Sequence, residues 1–131
     1  MQTYSSIVMT NLILSLISII GLYAPAGDCS AFKQLFTHTE VLAYLHPEKK
    51  GREILYLAEN EYCTLNEKLG DITIVTVPKE ETLKHGNRIT VISVQQLDGK
   101  EVIRLAYPIE GASFVVTLAE GTITSVRVWE R

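Results

Sequence analysis

Three short turns in the last third of the chain constrain it most. Asp98-Gly99, residues 108–111 and Ala119-Glu120-Gly121 separate four segments, 88–97, 100–107, 112–118 and 122–130, in which apolar and polar residues alternate. Period-two alternation marks a half-buried strand, and Asp-Gly is the strongest local signal for a two-residue hairpin. The turns also set register. A two-residue turn pairs Leu97 with Lys100 and puts Ile92 beside Leu105 and Val94 beside Ile103. A four-residue turn pairs Tyr107 with Ala112 and carries that face through Phe114, Val116 and Leu118. With Gly121 as the left-handed residue of a three-residue loop, Leu118 faces Thr122, and Val126 and Val128 join the same side. All three turns thus predict one apolar face of an antiparallel meander.

Residues 72–77 (ITIVTV) supply a fifth strand, closed by Pro78 ahead of the polar connection 79–87. Upstream the apolar period lengthens. Phe32, Leu35, Phe36, Thr39, Leu42 and Ala43 share one face of a helix over 30–46, capped by Asp28 or Ser30 and stopped by Pro47. Leu55, Ala58, Tyr62, Leu65 and Leu69 predict a second helix ending at Gly70, against a competing reading of 53–58 as a strand. The expected fold is α+β, an N-terminal helical hairpin packed on one face of an antiparallel β-meander of about five strands.

The first 27 residues carry no charged side chain, and Ala24-Pro25-Ala26 offers small residues where a signal peptidase reads. Residues 1–26 are therefore expected to be a signal peptide and 27–131 a single α+β domain, exported to a periplasm or secreted. A membrane anchor is the alternative because no Lys or Arg precedes the apolar run, and a buried helix is a third reading. Asp28 immediately before Cys29 is wrong for lipid attachment. Cys29 and Cys63 are the chain's two cysteines, and an exported pair is expected to join. On the helical-hairpin reading that bridge staples the two helices; on the strand reading it ties the first helix to the sheet. Without Cys-x-x-Cys or neighbouring histidines, the pair is not a redox or zinc set.

The chain has 12 basic and 15 acidic side chains, a net charge of −3 that argues against nucleic acid as a partner. There is no Gly-x-Ser-x-Gly elbow, His-Glu-x-x-His pair, phosphate loop or dinucleotide fingerprint. His38, His46 and His85 read as solvated, with His38 and His46 about 80° apart on a helix. Lys49, Lys50 and Arg52 form a basic turn, and Glu59, Glu61 and Glu67 the wet side of the second helix. No catalytic set, metal site or cofactor is predicted.

The sheet face away from the core would carry Val91, Ser93, Gln95, Val102, Arg104, Ala106, Ser113, Val115, Thr117, Ile123, Ser125, Arg127 and Trp129. Arg104, Arg127 and Trp129 are the candidate binding residues, since Trp and Arg dominate binding hot spots and guanidinium favours planar anions. The expected function is that of an exported, non-enzymatic binding protein, an inhibitor, immunity-type or envelope accessory protein, recognising a protein partner through this face or through loops. The alternative is a small-ligand binder or minor hydrolase with a pocket between helices and sheet, walled by Tyr44, Tyr56 and Tyr107 and served by His38 or Glu40. A membrane is a partner only if the leading segment stays attached.

Overall fold

A computed structural model describes residues 29–131. The predicted signal peptide lies outside the described residues. The order of elements is α1 (Ser30–Thr37), α2 (Thr39–Leu45), β1 (Ile54–Ala58), β2 (Glu67–Leu69), β3 (Ile72–Val77), α3 (Lys79–Thr82), β4 (Arg88–Leu97) and β5 (Lys100–Tyr107). A 3₁₀ turn (Pro108–Glu110), β6 (Ala112–Ala119) and β7 (Thr122–Glu130) complete the chain. The architecture is α+β, with short helices and one seven-stranded mixed sheet in the order β2-β3-β1-β4-β5-β6-β7.

The expected hairpin of long helices is replaced by two short helices, both inside the segment read as one. Thr37 bonds back to the Lys33 and Gln34 carbonyls, and His38 leaves the helical region with ψ 133°. The His38 ring then accepts the Glu40 N–H and so caps α2. This break re-phases the chain, so Val41 and Leu45 are buried together with Phe32, Leu35 and Phe36, while Thr39 and Ala43 are exposed. Cys29 stands at the N-cap of α1, with Ser30 its first helical residue, and Asp28 lies outside the described residues. His46, left-handed at φ 51°, ends α2 just before Pro47.

Residues 52–69 are not a helix. Leu55 and Leu57 alternate into the core from β1, which runs parallel to both β3 and β4. Asn60 then turns the chain: its side-chain oxygen accepts the N–H groups of Tyr62 and Cys63, and its amide donates to the Ala58 carbonyl. Thr76 on β3 bonds both the N–H and the C=O of Leu65 at 2.8 Å, fixing the loop before β2. Cys29 and Cys63 form a disulfide with a Cα–Cα separation of 5.4 Å, tying the start of α1 to this loop. The bridge joins helix to sheet layer instead of two helices.

The meander β4–β7 follows the turns. Leu97↔Lys100, Val94↔Ile103 and Tyr107↔Ala112 pair as expected, and Phe114, Val116 and Leu118 are buried. Two irregularities alter the rest. A bulge between Val91 and Ser93 puts Val91, not Ile92, opposite Leu105 on the core side. Ile92 is 60% exposed. The last turn has two residues, with Glu120 at φ 52° and Gly121 at φ 80°, so Ala119 pairs with Thr122 and Leu118 with Ile123. A second shift between Thr117 and Leu118 restores Val126 and Val128 to the core side and brings Ile123 with them. The core thus lies between α1, α2 and the disulfide loop on one side and the inner face of the sheet on the other.

Candidate functional site

Helices α1 and α2 cover only the inner face. On the outer face α3 and the loop after it pack over β1 and the start of β4, where Thr82 is buried and Tyr56 stacks on His85 at 3.6 Å. Beyond them the outer face of β4–β7 has no covering element among the described residues. Cross-strand pairing orders it in rows. Ser93, Arg104, Val115 and Arg127 form one row, and Thr90, Ala106, Ser113 and Trp129 the next. Two strand spacings put the Arg104 and Arg127 backbones about 10 Å apart, with Val115 between them.

The three predicted binding residues therefore share one face, all exposed. Arg127 lies over the Trp129 ring at 5.0 Å from its centroid, an arrangement that holds the tryptophan against the sheet while leaving it 49% exposed. Charge on the face has one sign. Arg88, Lys100, Arg104 and Arg127 point outward, whereas Glu101 and Glu130 pair with Leu118 and Ala112 on the core side. No carboxylate of β4–β7 faces out, in a chain whose net charge is −3.

Val91 and Ile123, expected on this face from the alternation, belong to the core side. Exposed apolar residues not expected there are Ile92 and Leu97 on β4 and Leu83, 72% exposed at the end of α3. Leu83 borders an open recess of about 460 Å³ with Ala58, Thr82 and Thr90. The one hint of the bulge is the adjacent apolar pair Val91-Ile92 in an otherwise alternating strand.

The other candidates are dispersed. His46 pairs with Glu48 at 3.2 Å and His85 with Glu81 at 3.5 Å. Among the described residues no three His, Cys, Asp or Glu side chains gather as a metal site. The three tyrosines do not converge: Tyr44 meets Phe114 edge-on, Tyr56 lies on the outer face, and Tyr107 is buried and bonded to Asn87. Glu67 sits on β2 and pairs with Lys33 at 3.2 Å, not on a helix.

Arg52 is drawn out of the basic turn by Glu110, 2.8 Å away. That hydrogen bond holds the Glu110 carboxyl below its ordinary value of 4.5, helped by the Arg52, His46 and Lys49 charges. A carboxyl with a depressed native pKa contributes stability above its unfolded value, lost as pH falls through the native one. Glu110→Gln is accordingly expected to be less stable than the parent at neutral pH. The two should converge below pH 4.5 in urea unfolding followed against pH. A difference that stays constant into acid would assign the loss to packing.

Comparison of the chain with family models, curated proteins and solved structures returned no match.

Proposed function

We propose that this is an exported, non-enzymatic binding protein that recognises a protein partner through the outer face of β4–β7. The observation that carries the reading is a one-signed cationic row beside a half-exposed tryptophan on an uncovered sheet face. Arginine and tryptophan combine large contact area with directional bonding, so such a face suits a partner surface bearing carboxylates. Export is supported by the uncharged leading segment and the disulfide. No helix among the described residues is long and apolar enough to cross a membrane.

The test is the triple variant Arg104→Ala, Arg127→Ala, Trp129→Ala. A partner captured from an envelope extract and then purified should bind this variant at least about 30-fold more weakly, the loss of two or three hot-spot contacts. Because all three side chains are exposed, the thermal midpoint should fall by no more than about 5 °C. Unchanged affinity for the purified partner would remove the face from consideration.

A further inference from the structure

The sheet ends unequally. At one edge β2 has three residues, and at the other β7 has nine. Edge strands offer unpaired backbone groups, and natural proteins usually shorten, charge or cover them. Half of the β7 edge is covered in this way. The Gln34 side chain of α1 imitates a neighbouring strand, donating to the Gly121 carbonyl at 2.8 Å and accepting the Ile123 N–H at 2.7 Å. Past that point no described residue covers it. The Arg131 N–H bonds the Gly111 carbonyl on the β6 side, so alternation turns the N–H and C=O groups of Val126, Val128 and Glu130 outward. These groups meet no partner among the described residues. Neither proline nor lysine occurs in 122–130 to blunt the edge.

Side chains define what the edge would accept. A strand laid beside 126–130 has residues alternating between the two faces. Opposite Val126 and Val128 they meet half-buried valines packed on the core, which favours apolar residues. Opposite Arg127 they meet an exposed guanidinium on a face without carboxylates, which favours an acid. A second copy of the chain fits poorly, because its β7 would bring Ser125, Arg127 and Trp129 to that face and no carboxylate.

We infer that the partner of the proposed binding function adds an extended segment, alternating apolar and acidic residues, as an eighth strand along Val126–Glu130. This rests on the binding reading but is narrower, since it assigns backbone pairing and not side-chain docking alone. Main-chain bonds supply affinity, and Arg127 with Trp129 selects the sequence.

The probe is a capped eight-residue peptide alternating valine and glutamate, followed by the fluorescence of Trp129, the only tryptophan, and by amide hydrogen exchange. Expected results are protection of the Val126, Val128 and Glu130 amides and at least tenfold weaker binding by the Val-Lys peptide. The Val-Glu peptide N-methylated on the edge facing β7 should also bind at least tenfold more weakly. Val128→Pro removes an outward donor without touching the β6 ladder and should weaken binding similarly; the methylated peptide gives the answer should that variant fold badly. Equal binding of the methylated peptide overturns the inference, as does protection elsewhere. So does a Trp129 response to anionic phosphatidylglycerol vesicles but not to the peptide, or a β7-mediated dimer by sedimentation. Loss of the purified partner in the triple variant, combined with a methylated peptide that binds normally, would keep the face and discard the edge.

Discussion

Replacing Cys29 and Cys63 with alanine together is expected to destabilise the fold by about 3–4 kcal/mol, the loop-closure entropy of a cross-link spanning about 35 residues. The native geometry supports an effect exerted mainly on the unfolded chain. Cys63 is held in place without the bridge, by the Asn60 side chain on its N–H and by the Thr76 clamp on Leu65. Both cysteines are buried, at 4% and 0% exposure, in the cluster formed with Phe32, Phe36 and Leu65. The double variant should therefore keep the sheet and lower the thermal midpoint by roughly 15–25 °C for a domain of this size. Reductant should bring the parent to the same midpoint and leave the variant unmoved. A loss below about 1 kcal/mol would mean that the loop is already closed in the unfolded chain. Hydrogen exchange should show the largest local change in the first turn of α1, because the bridge is its direct tie to the disulfide loop.

How much of this was legible depends on where the deciding interactions lie. From β4 to β7 each strand pairs with its neighbour in sequence, so turn chemistry alone fixes most of the register and brings Arg104, Arg127 and Trp129 to one face. Residues 52–69 were ambiguous for the opposite reason, and the competing strand reading of 53–58 is the one that holds, as β1. Leu55, Ala58, Tyr62, Leu65 and Leu69 fall at helical spacing, yet the alternation of Leu55 with Leu57 is what counts once β3 and β4 lie on either side. Those partners are parallel and distant in sequence. Asn60 and Thr76 then stabilise the non-helical path through side-chain bonds that no period reveals. The break at His38 is of the same kind, a side chain capping its own backbone. In the candidate site the bulge at Ile92 is the matching case. One extra residue inverts the faces, and with it the membership of Val91 and Ile92.

The mixed sheet has a seam, and Asn87 closes it. Its two parts meet where β1 lies parallel to β4, along the pairs Tyr56↔Arg88 and Leu57↔Ile89 alone. Asn87, 6% exposed, lengthens this short ladder with its side chain: the amide donates to the Ile54 carbonyl at 2.8 Å and to the Arg52 carbonyl at 3.2 Å. Its oxygen accepts the Tyr107 hydroxyl, which also lies 3.3 Å from the Leu45 carbonyl at the end of α2. Burial pushes the Tyr107 pKa up, so the hydroxyl remains a neutral donor, although the Arg52 charge opposes the shift. One side chain thus joins β1, β5 and, through Tyr107, α2. Asn87→Ala is expected to cost about 2–4 kcal/mol, because it removes the side-chain donor to two carbonyls and takes one acceptor from the buried Tyr107 hydroxyl. Tyr107→Phe should cost less, about 1–2 kcal/mol, since Asn87 keeps both donor bonds. Their losses should not add. With Asn87 gone the hydroxyl has already lost its closest partner, so the double variant should fall short of the summed single effects by at least about 0.5 kcal/mol in urea unfolding. Additivity within about 0.3 kcal/mol would show that the two side chains stabilise separate parts of the molecule and that the seam is held by its backbone ladder alone.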